Sequence, residues 1–282
     1  MEASFRRRLS KVVGNISDIC RRGLFRVLSF GPIPQHIAFI MDGNRRFARY
    51  RNMKQGSGHQ VGFLALMSIL RYCYELGVKY VTIYAFSIDN FKRRPEEVQV
   101  VMDLMLEKIE GLLNEGSIVK EYGLKVNFLG NLELLPTRVK RAAEKVMAAT
   151  EGNSKAILSI CVAYTSTDEI VHAVQESYKE KLSKISLTSL DKCDSEQSII
   201  TLPDLEKHMY TIGCPDPEIL VRTSGETRLS NFLLWQTTFC FLLSPNCLWP
   251  EISLKHLVWA ILEYQHVQPY LDRKRRAMLG TP

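Results

Sequence analysis

Between Ile37 and Ala48 the chain reads I-A-F-I-M-D-G-N-R-R-F-A, an apolar run that ends on an acid, a glycine, an amide and two arginines. Five apolar residues without a polar break, Ile37 to Met41, suit a strand covered by helices on both faces, as in parallel sheets. Asp42 is then the first residue out of the core. Gly43 permits a sharp turn or a close approach of backbone to ligand, and Asn44 is placed to cap a helix that starts with Arg45 and Arg46. The first amide N–H groups of such a helix have no partners within it, so with two guanidiniums nearby they make a seat for phosphate. One carboxylate beside that seat suggests Mg²⁺, an ion usually held by one or two carboxylates plus the phosphates of a substrate. An ordinary Asp-Gly turn with solvated arginines is the competing reading of this loop. No G-x-x-x-x-G-K-[ST] occurs, which excludes a Walker-type P-loop, while an aspartyl-phosphate enzyme with Asp42 as nucleophile is a further alternative.

A chain of 282 residues, 46% of them hydrophobic, can bury a full core and fits one large α/β domain. Its net charge of +7 is unevenly spread: seven Arg/Lys against Glu2 and Asp18 put +5 in residues 1–30, residues 272–282 add +3, and −1 is left between. Basicity confined to the ends argues for a membrane surface or an anionic partner there and against a nucleic-acid groove across the domain. Seven cysteines with no C-x-x-C give no support to a zinc site or a disulfide framework and fit reduced thiols facing cytosol. No apolar run approaches the ~18 residues of a transmembrane helix.

From Phe5 to Leu28, apolar residues recur at helical spacing with arginines and Lys11 between them, predicting a basic amphipathic helix there, within a membrane-associating segment of residues 1–31. A membrane interface suits it, with an organelle transit peptide or packing on the protein itself as alternatives. Pro32 and Pro34 end it and open the main domain, residues 32–268, which a basic tail, 269–282, follows. Gly56-Ser57-Gly58-His59-Gln60-Val61-Gly62 has neither the spacing nor the preceding strand of a dinucleotide fingerprint, so it reads as a loop opening a helix from Val61 to Leu76, with His59 near its start. Tyr80 to Phe86 is a second buried strand, whose exit loop, Ser87 to Pro95, carries polar residues where ligands of open α/β sheets gather. Pro95-Glu96-Glu97 starts a helix running to about Gly116. Strands at Val126–Gly130 and Ile157–Tyr164 and helices at Arg138–Ala149 and Thr165–Glu180 follow, then a surface loop over Lys181–Ser198 and a short helix at Pro203–Tyr210. Glu218 to Val221 leads into Arg222-Thr223-Ser224-Gly225-Glu226-Thr227-Arg228-Leu229-Ser230-Asn231, a second basic strand-exit loop suited to a second phosphate, or to a turn salt-bridged by Glu226. Phe232 to Leu243 is too apolar for a surface; it holds a sixth strand and offers part of itself to another subunit. The last helix is expected over Leu254–Gln265.

His36 to Ala48, Tyr84 to Arg93 (Y-A-F-S-I-D-N-F-K-R) and Leu220 to Trp235 (L-V-R-T-S-G-E-T-R-L-S-N-F-L-L-W) together resemble the cis-prenyltransferases, most of all their eukaryotic dehydrodolichyl-diphosphate-forming members, across about residues 32–265. The resemblance implies a single α/β domain with a six-stranded, mostly parallel sheet enclosing a hydrophobic tunnel. It implies Mg²⁺-dependent condensation of isopentenyl diphosphate onto an allylic diphosphate such as farnesyl diphosphate, giving a long Z-polyprenyl diphosphate for dolichol synthesis. By position it implies that Asp42 holds Mg²⁺ and the allylic diphosphate, which Gly43, Asn44, Arg45, Arg46 and His59 cradle. Arg222, Arg228 and Ser230 are implied to bind the diphosphate of isopentenyl diphosphate. Asn90 with Ser87 is implied in proton removal, and Phe91, Arg93 and Glu97 in shaping the reacting region. Three positions depart from the family pattern: Gln55 replaces a basic residue, Phe241 a bacterial glutamate, and Gly225-Glu226-Thr227 lacks the bacterial histidine. A short extension near Glu115-Gly116-Ser117 implies an opened tunnel floor and a long product. The final residues lack the Arg-x-Gly of self-sufficient members, which implies a related Nogo-B-receptor-like partner subunit. A peripheral place on the cytosolic face of the endoplasmic reticulum completes the expectation. A catalytically idle scaffold of the same fold is the alternative of another class, opposed by the intact Asp42 and Arg222–Ser230 loops.

Overall fold

The structure, a computed structural model, describes residues 18–54, 56–187 and 199–279. The first part of the helix expected over Phe5–Leu28, the position Gln55 and most of the loop expected after Lys181 lie outside the described residues. Residues 18–28 are helical (α1).

Six strands form one sheet: β1 (His36–Ile40), β2 (Tyr80–Ser87), β3 (Leu124–Leu129), β4 (Ala156–Tyr164), β5 (Ile219–Arg222) and β6 (Phe241–Leu243), in the order β3-β4-β2-β1-β5-β6. Every neighbouring pair is parallel, so the sheet is wholly rather than mostly parallel. The cause is visible in β1. All five of its residues are buried, because side chains alternate between two covered faces. Ile37 and Phe39 enter a large core, whereas Ala38 and Ile40 enter a smaller one around Tyr164, Leu220, Phe232 and Leu233.

Helices connect the strands: α2 (Asn44–Tyr50), α3 (Ser57–Leu76), α4 (Pro95–Gly111), α5 (Ile118–Tyr122), α6 (Thr137–Thr150), α7 (Ser166–Leu187), α8 (Leu202–Glu206) and α9 (Leu254–Leu279). α7 runs on to Leu187, through the start of the loop expected over Lys181–Ser198, and α8 stops at Glu206, short of the expected Tyr210; three further bounds differ for identifiable reasons. Gly56, in the left-handed conformation, starts α3 four residues early, so His59 lies in its first turn instead of in a preceding loop. α4 stops at Gly111, and the 112–117 segment forms a turn in which the Ser117 hydroxyl donates to Leu112 O (2.7 Å) and accepts from the amide of Lys120 to begin α5. α9 continues through Pro269 to Leu279, so the segment set apart as a tail is helical over its described part.

At the start of β1 the His36 imidazole is buried between Pro215 O (2.6 Å) and the Thr82 hydroxyl (2.7 Å). Burial depresses its pKa from 6.5 to about 4, the bond to Pro215 opposing only in part. The unfolded chain therefore takes up a proton near pH 6.5 that the folded chain refuses until about pH 4, and stability present above 6.5 is lost as pH falls through that window. This one group is expected to lower the unfolding free energy by on the order of 3 kcal/mol between pH 7 and pH 4. Urea unfolding across that range should give a shallower pH slope for His36→Asn; a slope equal to that of the parent would contradict the account.

Candidate active site

The chain lays down β1 in the middle of the sheet, adds β2 on one side of it, and returns much later to place β5 on the other. Ile40 at the end of β1 is flanked by Tyr84 of β2 and Arg222 of β5. Strand order reverses there, and the carboxyl ends of two strands that diverge at such a point open a crevice where ligands of α/β sheets bind. The two basic strand-exit loops of the sequence meet in it.

Asp42 is the meeting point. Its carboxylate accepts from Arg222 Nη2 (2.9 Å) on one oxygen and from Arg46 Nη2 (3.1 Å) on the other. Its carbonyl accepts from the Thr223 hydroxyl (2.6 Å), the Ser224 hydroxyl (3.0 Å) and the amide of Trp249 (2.8 Å). Burial works to raise the Asp42 pKa, but the bonds and charges of Arg222 and Arg46 together outweigh it and hold the carboxyl below its ordinary value. Arg222 reaches on to Ser230 Oγ (2.6 Å) and Arg228 O (2.5 Å), which fixes the second loop against the first. Its Nε is buried with no hydrogen-bond partner among the described residues.

Gly43 makes the turn after Asp42 possible. Its φ is +112°, and a Cβ there would lie 2.7 Å from Ser224 Oγ and 2.9 Å from Leu248. The expectation that Asn44 caps α2 is corrected by the same geometry, since Gly43 is the cap residue and no side chain caps. Asn44 is instead the first helical residue. Its amide donates to Met41 O (3.2 Å), and its buried Oδ1 lies 2.1 Å from where a Cβ on Gly62 of α3 would stand. A glycine at 62 thus lets α2 sit tightly on α3.

Cations crowd the mouth. Burial and the charges of Arg93 and Arg45 depress the His59 pKa, keeping the imidazole neutral near pH 7, and burial and Arg45 likewise lower that of Arg93. Glu97 answers only part of this charge, pairing with Arg45 (3.4 Å) and the exposed Arg94 (2.7 Å). Glu226 pairs with Arg228 and stands 3.7 Å from Arg46. Groups that repel one another in this way are an anion seat.

Behind the mouth lies a cavity of about 690 Å³. Asp42, Asn44, Arg45, His59, Ser87, Asn90, Arg93, Arg222, Arg228 and Ser230 line its polar end, and apolar residues of α3, α4, β2, β3 and β4 line its depth. Asn90 and Ser87 are held as a pair, the Ser87 amide donating to Asn90 Oδ1 (3.2 Å) and the Asp89 amide to Ser87 Oγ (3.1 Å). Gly43, Arg46, Phe91 and Glu97 stand beside the cavity without lining it; Phe91 packs edge-on against Phe86 at 4.9 Å. Sequence reasoning missed Thr223, Ser224 and Trp249 as clamps on Asp42, and Asp89 and Asn231 as lining residues. Only their adjacence to charged loop residues could have marked them.

Among the described residues no cluster of three or more His, Cys, Asp or Glu could cage a metal. The half-buried Asp42 carboxylate among phosphate-seeking arginines does fit Mg²⁺, an ion that keeps waters and takes its other oxygens from substrate phosphate.

The profile of the undecaprenyl diphosphate synthase family matches residues 40–272. The chain is 54% identical to dehydrodolichyl diphosphate synthase CPT3 of Solanum lycopersicum over 98% of this chain and 99% of that one. It is 41% identical to the Homo sapiens dehydrodolichyl diphosphate synthase complex subunit DHDDS over 88% and 72% respectively. Lavandulyl diphosphate synthase from Lavandula x intermedia, solved in complex with dimethylallyl diphosphate, superposes with a TM-score of 0.70 at 28% identity, covering 82% of this chain and 95% of that one.

Replacing Arg222 by Met is expected to leave Asp42 to Arg46 alone. The Asp42 pKa should move up, seen by carboxylate NMR titration. Stability should fall by about 1–3 kcal/mol, below the cost of breaking a fully buried pair because Asp42 still meets solvent. An unmoved Asp42 titration would show that Arg222 does not control the carboxylate.

Proposed function

The chain belongs to the undecaprenyl diphosphate synthase family of prenyltransferases, and from that membership and the site's geometry we propose that it condenses isopentenyl diphosphate units onto an allylic diphosphate such as farnesyl diphosphate, making a long Z-polyprenyl diphosphate of the dehydrodolichyl type. One observation carries this reading: a single cavity has two basic loops at its mouth and an apolar depth. Two diphosphates and a growing hydrocarbon tail need that combination.

In this reading Asn44, Arg45 and His59 at the mouth receive the allylic diphosphate, with Arg46 and the Gly43 backbone supporting them from outside. Arg222, Arg228 and Ser230 receive the diphosphate of isopentenyl diphosphate. The allylic carbon–oxygen bond breaks with its electron pair going to the departing diphosphate, the new carbon–carbon bond forms to isopentenyl diphosphate, and the proton that the latter loses passes to that diphosphate as the Z double bond is set. Asn90 and Ser87, already paired on the cavity wall, orient that proton's departure, while Phe91, Arg93 and Glu97 shape the region around it. Guanidiniums that stand oriented before the bond breaks, with Arg222 buried among them, stabilise the departing diphosphate more than they stabilise the bound substrate. Mg²⁺, held through Asp42 and the phosphate oxygens, would add neutralisation of the leaving group's charge.

We further propose a partner subunit of the Nogo-B-receptor-like kind. A relative carries the words "complex subunit" in its name, and α7 presents exposed Val171, Val174 and Tyr178 on one face, with exposed Leu234 and Leu242 in the segment that follows β5. Apolar and aromatic surface of this sort belongs in the core of an interface. The proposed home is a membrane surface, that of the endoplasmic reticulum. On α1 and the turn after it, Ile19, Val27 and Phe30 are exposed at 69%, 62% and 88% beside exposed Arg22 and Arg26, the pattern of an interfacial element. No helix among the described residues is long and apolar enough to cross a membrane.

Incubation with farnesyl diphosphate, radiolabelled isopentenyl diphosphate and Mg²⁺ tests the activity. Polyprenyl product is expected to rise strongly when the partner subunit is added, and Asp42→Ala is expected to lower turnover at least ~10²-fold, the scale for one key electrostatic contact. Near-normal turnover of that variant would sink the assignment of Asp42. Deleting residues 5–28 is expected to weaken co-sedimentation with anionic liposomes; equal binding would give the segment another task.

A further inference from the structure

The α4 wall of the cavity is apolar at helical spacing, Val101, Leu104, Met105, Ile109 and Leu112, with one charged member in the row, Lys108. Lys108 lines the cavity, and its ammonium lies 5.1 Å from the Phe63 ring centroid across on α3 and 2.7 Å from the exposed carboxylate of Glu107. An alkyl stem against apolar surface with the charge carried outward is the usual compromise of a lysine at such a place.

The position of this contact matters because α3 and α4 do not pack closely on each other. α4 leans on α6, and α3 on α2 and the turn at Trp249–Glu251. The gap between α3 and α4 is closed by side chains, the Lys108–Phe63 contact among them. Apolar residues continue on its outer side, Leu64 at 66% exposure and Val100 at 43%, the latter 3.3 Å from the Cβ position of Gly56 at the head of α3.

We propose that Lys108 is a specificity-determining residue, a latch on the α3–α4 seam that sets how many isoprene units are added before release. The inference rests on the polyprenyl-transfer reading. A cavity of about 690 Å³ matches one that encloses a drug-sized ligand, roughly 300–1,000 Å³, and a product many units long outgrows it while its diphosphate is still held at the mouth. The tail then leaves sideways through the seam, where α3 and α4 have little backbone packing to break. Passage requires the ammonium, already paired with Glu107, to give up the Phe63 ring and turn out to water. The attraction between cation and ring, small at an exposed site and larger where water is excluded, opposes each tail that tries the seam. Chains that pass continue to grow, and chains that are turned back are released short.

The test uses the full chain expressed with its partner in a host lacking its own long-chain cis-prenyltransferase, with product ladders resolved by thin-layer chromatography. Lys108→Met keeps the stem and removes the charge; its ladder is expected to shift several isoprene units longer. Phe63→Trp, a stronger partner for the cation, should shift it shorter, and Lys108→Arg should keep the parental ladder. Single-turnover addition of the first unit, measured beside each ladder, reports binding of the allylic primer, and a ladder change that merely tracks a loss there overturns the proposal. A Lys108→Met ladder superimposable on the parent's, or one that shifts only as far as that of Lys108→Arg, overturns the latch. A parent chain that makes no polyprenyl product fails one step earlier, at the functional reading, and the inference falls with it.

Discussion

The contact between Asp42 and Arg222 joins residues 180 apart in the chain at the place where the strand order reverses. A pair of this kind is weak support for stability, since desolvating a guanidinium costs much of what the pairing returns. Its consequence is positional. Arg222 can face the carboxylate only if β1 and β5 are neighbours in register, and once there it fixes Ser230 and the Arg228 carbonyl as well. The Thr223 and Ser224 hydroxyls and the Trp249 amide then lock the Asp42 carbonyl. Two loops and a turn from distant parts of the sequence are thus held in one arrangement by the protein's own hydrogen bonds, the condition under which charged donors are most effective on a transition state.

The same constraint explains the division of the cavity. Parallel strands all end on one edge, so polar loops collect there, and the helix-covered face below offers chiefly apolar side chains. Tyr84 marks the border. Its ring stacks on Phe232 at 4.4 Å, and its hydroxyl, whose pKa burial raises, donates to Tyr164 O (3.0 Å). A molecule with an anionic head and a hydrocarbon tail is matched to that axis from end to end.

Much of this was legible in the sequence because it depends on local pattern. The unbroken run Ile37 to Met41 could only be doubly covered, and the arginines after β1 and β5 stood where strands had to end. The 3.6 period gave α3, α4 and α6 to within a few residues. What was not legible depended on backbone geometry or on partners far away. Asn44 looked like a cap because its type favours caps, yet the left-handed Gly43 took that position and turned Asn44 toward Gly62. Thr223, Ser224 and Trp249 are unremarkable as residue types, and only the sheet order brings them to Asp42. Phe91 and Glu97 lie in a loop and a helix start that fold beside the cavity, a distinction of a few ångströms that spacing does not carry.

The smaller face of the sheet links the proposed partner surface to the second phosphate loop. Glu169 of α7 is fully buried, a costly place for a carboxyl unless its lone pairs are filled. They are: Tyr164 Oη donates at 2.6 Å, Gln236 Nε2 at 3.0 Å, and the amide and hydroxyl of Thr211 at 3.1 Å each. The start of α7 grips the adjoining strand-exit segment as well, the Ser166 amide donating to Asn231 O (2.8 Å) and the Leu234 amide to Ser166 Oγ (2.9 Å). Ser230 and Asn231, both in the left-handed region, have no regular ladder to hold them and depend on these contacts. The helix that presents Val171, Val174 and Tyr178 to the outside therefore holds, by its buried side, the segment that carries Ser230. Whatever covers that outer face bears on the geometry with which Arg222 and Ser230 meet a diphosphate.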